Sequence, residues 1–158
     1  MNREIERRFL VREAGFLTGR RGEPILLGYV AKQPGRMLAL VRLCSGCAFL
    51  TLKNPRYGPS PQEFEYEIPV EDARCMLDGY CPSRLIRKTR YPVPFADRVF
   101  AVDVFEGRHA GLIIAEAELP RETTAVALPP WLGAEITSDS RYGNFALAHY
   151  EGPVIPAE

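Results

Sequence analysis

The chain has 158 residues, in which 20 Lys and Arg are balanced by 20 Asp and Glu. This length suits one domain with a real core, and the zero net charge excludes a global basic field for nucleic acid or an acidic tail. No apolar run reaches the roughly 20 residues that span a bilayer, and the charged N-terminal stretch has no signal-peptide character. The cytoplasm is therefore the expected compartment, with no membrane or nucleic-acid duplex as partner and the four cysteines expected as thiols.

In chain order, the first segment is EIERRFLV (residues 4–11), whose alternation reads as a strand. PILLGYVAK (24–32), MLALVRL (37–43) and AFLTLK (48–53) follow as strands. Cys44 and Cys47 flank Ser45-Gly46. A Cys-x-x-Cys pair can mark a zinc knuckle or a redox motif, but a zinc site needs a second well-spaced pair, and Cys75 and Cys81 do not supply one. A hairpin turn at Ser45-Gly46 is the expectation. QEFEYEIP (62–69) is a strand, and PVEDARCMLDGY (69–80) reads as a helix, with Pro69 near its start and Val70, Ala73 and Leu77 at helical spacing. RLIRKTRYPV (84–93), RVFAVDVFEG (98–107) and GLIIAEAELP (111–120) complete eight strands. PRETTAVALPPW (120–131) and SDSRYGNFALAHY (138–150) are expected to hold short helices, the second weakened at Gly143. Residues 151–158 read as a tail after a single domain over 1–150. Short turns between strands point to a meandering antiparallel sheet or barrel, mainly β with a few helices.

Side chains alternate faces along a strand, so each of these segments can be sorted. Glu4, Glu6 and Arg8 share one face, as do Glu63, Glu65 and Glu67, and likewise Glu116 and Glu118. Lys88 aligns with Arg90, Lys53 with Thr51 and Phe49, and Asp103 opposes Val102 and Val104. Arg42 shares its side with Leu38 and Leu40. An amphipathic sheet with its charged face in water is the ordinary reading of such strands. Carboxylates in i, i+2 pairs are nevertheless mutually destabilising unless a metal ion or a cation from another strand compensates them. If the sheet curls with its charged face inward, acidic and basic sets converge on one lumen, which suits a hard cation bound to a polyanion. Phosphoryl transfer uses that chemistry: oxygen ligands hold Mg²⁺ or Mn²⁺, and Arg and Lys clamp phosphate oxygens.

These segments, together with LLGYV, RKTRY, VDVFEG and WLGAEITSDSRYGNFALA, resemble in order the CYTH family, also called triphosphate tunnel metalloenzymes. The family's signature is an N-terminal Glu-x-Glu-x-Lys, here read in EIERR with Arg8 at the lysine position. The resemblance implies an eight-stranded antiparallel β-barrel tunnel with helices outside, and divalent-metal-dependent hydrolysis of tripolyphosphate, thiamine triphosphate or nucleoside triphosphates. It implies Mg²⁺ or Mn²⁺ as cofactor, a triphosphate-containing small molecule as substrate, and a monomer or homodimer. By position, it makes Glu4, Glu6, Glu63, Glu65, Asp103, Glu116 and Glu118 metal-site residues. Arg8, Arg42, Lys53, Arg56, Lys88 and Arg90 become the phosphate clamp, with Glu6, Arg8 and Lys88 in catalysis.

Four positions depart from the family pattern. Arg8 replaces the signature lysine, Leu40 an arginine, Pro61 a basic residue and Ala101 a glutamate. Arginine keeps the charge but does not shuttle a proton. Each lost charge-assisted contact is worth about 1.5–3 kcal/mol, so a weaker or altered grip on a triphosphate is expected. Two alternatives stay open: an adenylate cyclase, and a non-catalytic module that binds a phosphorylated ligand or nucleotide. His109 and His149 read as surface residues, Trp131 as packing, and Arg141, Tyr142 and Asn144 as structural.

Overall fold

The computed structural model describes residues 5–33, 37–54, 62–81 and 84–149. Among these, nine antiparallel strands occur in chain order: β1 (Glu6–Val11), β2 (Glu23–Gln33), β3 (Met37–Cys44), β4 (Cys47–Asn54), β5 (Gln62–Ile68), β6 (Ile86–Phe95), β7 (Arg98–Phe105), β8 (Ile113–Glu118) and β9 (Leu132–Glu135). Two α-helices accompany them, α1 (Val70–Tyr80) and α2 (Asn144–His149). All eight strands expected from alternation are present, and β9 is an addition. The helix expected over 120–131 is absent: that stretch forms turns and irregular backbone, as its prolines and paired threonines favour. No helix among the described residues is long and apolar enough to cross a membrane.

The chain forms two compact units, one built on Pro24–Arg87 and the other on Ile5–Glu23 and the chain from Lys88 onward. In the first unit the strand order is β5-β4-β3-β2. The β3–β4 hairpin closes at Ser45-Gly46, where both residues have positive φ (46° and 79°) and Cys44 lies opposite Cys47. This is the tight turn expected there, and all four cysteines are free thiols. Helix α1 begins after Pro69, carries Glu71 and Asp72 in its first turn, and buries Ala73 and Leu77. Those two residues pack with Val41, Ala48 and Cys81 into a core on one face of the sheet. Gly28 lets the helix end approach β2, because a Cβ there would stand 2.9 Å from Cys81 Cβ.

In the second unit the order is β6-β7-β8-β1-β9. One face of these strands packs Val93, Phe100, Val102, Ala115, Ala117, Val11 and Leu17 into a second core. Burying a side chain the size of Phe100 stabilises the fold by about 1.5–3 kcal/mol. Trp131 stacks on Phe16 (centroids 4.3 Å apart) and meets Phe100 edge-on, which is the packing role expected of it. Strand β9 extends the sheet along β1, with Leu132 opposite Val11 and Glu135 opposite Phe9. The closing segment ends in a short 3₁₀ turn (Ser140–Tyr142), then α2, separated at Gly143 as expected.

His109 is a correction. It is buried, with Nε2 2.7 Å from the Leu147 carbonyl, because the turn before β8 tucks under α2 instead of facing water.

Candidate functional site

Register decides which charges meet. In the second unit Glu6 lies opposite Glu118, and Arg8 opposite Glu116, across β1–β8. Glu116 lies opposite Ala101 across β8–β7, and Asp103 opposite Arg90 across β7–β6. Directly opposed residues share a face, so Glu6, Arg8, Lys88, Arg90, Asp103, Glu116 and Glu118 all project from the side away from the apolar core.

The charges on that face alternate in a chain of contacts. Lys88 Nζ donates to Asp103 Oδ2 at 2.7 Å. Arg90 donates through Nε to Asp103 Oδ1 (2.7 Å) and through Nη2 to Oδ2 (2.8 Å), a bidentate pair. Arg90 Nη2 also reaches Glu116 Oε2 at 3.3 Å, while Arg8 Nε donates to Glu116 Oε1 at 3.2 Å. Glu6 Oε1 lies 3.7 Å from Arg8 Nε. Glu6, Glu116 and Asp103 thus each meet a cation, and for Glu116 and Asp103 that cation comes from another strand.

This face is not an ordinary solvated one. The side chains of Lys88 and Asp103 are 3% and 1% exposed, and those of Arg8 and Glu116 are 11% and 16% exposed. Burial pushes the Asp103 carboxyl up, but Lys88 and Arg90 together outweigh it and hold it below the usual carboxylate range. The Asp103 hydrogen bond, opposed by burial and aided by the charges of Asp103, Glu116 and Glu6, holds Arg90 above the usual arginine range. The Lys88 ammonium also lies over the ring of Phe105, its cross-strand partner, 5.4 Å from the centroid.

Arg8 does a second job that its sequence position did not announce. Its Nη2 donates to the Tyr142 carbonyl at 2.9 Å, its backbone N–H donates to Thr137 Oγ1, and its carbonyl accepts from Ile136 N. A planar guanidinium bonds Glu116 and a backbone carbonyl together, which a single ammonium does less readily. Thr137 and Tyr142 belong to the closing motif, and their contacts with Arg8 tie that segment to β1.

The first unit carries its own charged face. Leu40, Thr51 and Glu65 are directly opposed across β3–β4–β5, as are Leu38, Lys53 and Glu63. Arg42 Nη2 donates to Glu65 Oε2 at 3.1 Å, Thr51 Oγ1 donates to the same oxygen at 3.2 Å, and Lys53 lies 3.2 Å from Glu63. Arg42 also stacks over its cross-strand partner Phe49. These ion pairs are half-open to water, with Lys53 36% and Glu65 39% exposed. Glu4 and Arg56 lie outside the described residues.

Among the described residues, no three carboxylate, imidazole or thiol side chains stand together as a ready-made metal cluster. The donor chemistry still fits a hard cation. Glu6 and Glu118 oppose each other as like charges, an arrangement that a divalent ion between oxygen donors relieves.

No family model matches the chain. It is 37% identical over 147 residues to an inorganic triphosphatase of Acetivibrio thermocellus, covering 93% of this chain and 94% of the relative. It is 38% identical to an inorganic triphosphatase of Nitrosomonas europaea, covering 92% and 96%. The chain belongs to the inorganic triphosphatase branch of the CYTH family. Its fold also matches the crystal structure of an inorganic triphosphatase with a TM-score of 0.71 at 34% identity, covering 96% of this chain and 98% of the other.

Within this CYTH protein the departures take on physical content. Leu40 is buried opposite Thr51, so the missing arginine is replaced by packing. Ala101 stands directly between Pro92 and Glu116 in the register, so a methyl group adjoins Glu116 where the family pattern has a carboxylate. Pro61 lies outside the described residues.

Proposed function

We propose that this chain hydrolyses inorganic triphosphate, releasing the terminal phosphate. The observation that carries the reading is the half-buried network of Lys88, Arg90 and Arg8 alternating with Asp103, Glu116 and Glu6, in a relative of inorganic triphosphatases. Without an anion those cations are neutralised by the protein's own carboxylates. An incoming triphosphate exchanges its oxygens for Glu116 on Arg8 and Arg90, where each charge-assisted bond is worth about 1.5–3 kcal/mol. Lys88 supplies a compact ammonium with donors beyond the one given to Asp103. By the family pattern, Arg42, Lys53 and Arg56 are further candidates for phosphate contact.

Water attacks the terminal phosphorus, the bond to the bridging oxygen breaks, and orthophosphate leaves pyrophosphate behind. Fixed cations stabilise the charge that develops on the leaving oxygens. Arg8 contributes electrostatics without proton transfer, since a guanidinium stays protonated. By the family pattern, Glu4, Glu6, Glu116 and Glu118 would hold Mg²⁺ or Mn²⁺, and Glu63 and Glu65 are candidate donors on the first unit's own charged face. The ion, when bound, neutralises phosphate charge and lowers the pKa of water. A cytoplasmic monomer or homodimer belongs to the same reading.

A second reading, capture of a phosphorylated ligand without turnover, is favoured by Arg8 alone. The deciding experiment is phosphate release from tripolyphosphate, thiamine triphosphate and ATP with Mg²⁺ or Mn²⁺, with cyclic AMP monitored in parallel. Tripolyphosphate turnover that is lost in Glu6→Gln and Glu116→Gln supports the proposal. Tight binding with no phosphate from any substrate favours the binder, cyclic AMP from ATP favours a cyclase, and variants equal to wild type show that the site is misassigned.

A further inference from the structure

We propose that Asp103 is a positioning residue that holds Lys88 and Arg90 for the anion, in place of the metal ligand that family position implies. The inference rests on the triphosphate reading and deepens it.

Both Asp103 oxygens are already taken. Oδ1 accepts from Arg90 Nε, and Oδ2 accepts from both Lys88 Nζ and Arg90 Nη2, all within 2.7–2.8 Å. An ionised carboxylate offers about four lone-pair sites, and here three face cationic donors. With three cationic donors on its two oxygens, Asp103 can meet a metal ion only by breaking that arrangement. Glu116 and Glu6 differ on each count. Their contacts with Arg8 and Arg90 are longer, at 3.2 to 3.7 Å, and their side chains are 16% and 29% exposed. Those carboxylates can exchange a cation for a ligand, whereas Asp103 stays.

The arrangement is built into the register. Asp103 lies directly opposite Arg90, which sets the bidentate pair across β6–β7. Lys88 is two residues before Arg90 on the same face, and its ammonium is held by Asp103 and lies over the Phe105 ring. A lysine free to sample its rotamers loses side-chain entropy on meeting an anion; one already fixed does not. Asp103 occupies Arg90 Nε and Nη2, and among the described residues Nη1 donates no hydrogen bond, which leaves it for phosphate.

Two titrations on the full chain separate the roles. Tripolyphosphate binding is measured calorimetrically in EDTA, and Mn²⁺ binding by electron paramagnetic resonance without tripolyphosphate. For Asp103→Asn, the expected result is a loss of metal-free tripolyphosphate affinity of at least about tenfold, with Mn²⁺ affinity held within about twofold. Asp103→Glu is expected to recover part of the loss, because it restores the charge on a longer stem. Mn²⁺ affinity that collapses while metal-free tripolyphosphate binding is unchanged would make Asp103 a metal ligand and overturn the proposal. Two unchanged affinities would overturn it equally. If Asp103→Asn does not fold, Asp103→Glu is read in the same two titrations: weakened tripolyphosphate binding with intact Mn²⁺ binding supports the proposal, and the reverse overturns it. A wild type that binds tripolyphosphate in neither EDTA nor Mn²⁺ overturns the triphosphate reading itself, and this inference with it.

Discussion

The two units carry the same sequence device, ionisable residues at every second strand position, and build it into different physics. In the first, Arg42–Glu65 and Lys53–Glu63 are pairs half-open to water. In the second, Lys88, Asp103, Arg90, Glu116 and Arg8 form a chain whose inner members are excluded from water. Exposed pairs contribute about 0–1 kcal/mol each, because water screens them and ordering long side chains costs entropy. Removing one partner of a buried pair costs about 3–5 kcal/mol, because the other charge is left uncompensated. Alternation in a sequence thus reports a charged face but not its energetic weight.

The largest expected effect follows from that contrast. Asp103→Ala leaves Lys88 buried without its carboxylate and should lower unfolding stability by about 3–5 kcal/mol in urea titration. A loss under 1 kcal/mol would remove the distinction between the two faces. Its pH dependence has a definite sign. The Asp103 carboxyl is held below its usual range when folded, so its contribution is present above the unfolded carboxylate pKa and is lost as pH falls through the folded value. Asp103→Asn should flatten that acid limb of the stability profile.

Next in size is Arg8→Lys, which keeps the charge but cannot span both Glu116 and the Tyr142 carbonyl as the guanidinium does. Stability should fall by about 1.5–3 kcal/mol. Amide exchange should accelerate over residues 136–147, while protection in β3 and β4 is unchanged. Uniform protection in the variant would show that Arg8 does not tether the closing segment.

A smaller effect belongs to His109. Burial, opposed by the Leu147 carbonyl and aided by Arg108, lowers its pKa below the ordinary 6.5. The unfolded chain therefore takes up the proton first, and stability should decline as pH falls below about 6.5. His109→Gln should be less stable at neutral pH but lack that decline; a variant that keeps the full decline would assign it to another group. The smallest effect is expected of Lys53→Ala, a change of about 0–1 kcal/mol that shrinks further in 1 M salt.

Much of this architecture is legible in the sequence, for identifiable reasons. Eight strands announce themselves because Val, Ile, Phe and Tyr alternate with charge, and Ser45-Gly46 announces its turn because the geometry requires positive φ. Strand β9 escapes notice because Leu132–Glu135 is too short to establish a period and owes its existence to the free edge of β1. The helix expected at 120–131 fails because its apolar positions lie among prolines and threonines, with little local propensity to hold them. The charged residues of the site are all visible as letters, and so is the need for cations from other strands. Which cation meets which carboxylate is set by register, which the sequence does not print. That is why Asp103 reads as a metal ligand by position and stands in the structure between Lys88 and Arg90. It is also why burial of His109 is invisible until α2 packs above it.

The central claim is that the buried network of the second unit is the phosphate-handling machinery. Its most direct test is steady-state phosphate release from tripolyphosphate with Mg²⁺, comparing wild type, Arg90→Ala and Lys53→Ala. The account predicts turnover by wild type, a loss of at least about a hundredfold in kcat/KM for Arg90→Ala, and a much smaller loss for Lys53→Ala. Wild-type turnover that survives unchanged in Arg90→Ala would contradict it.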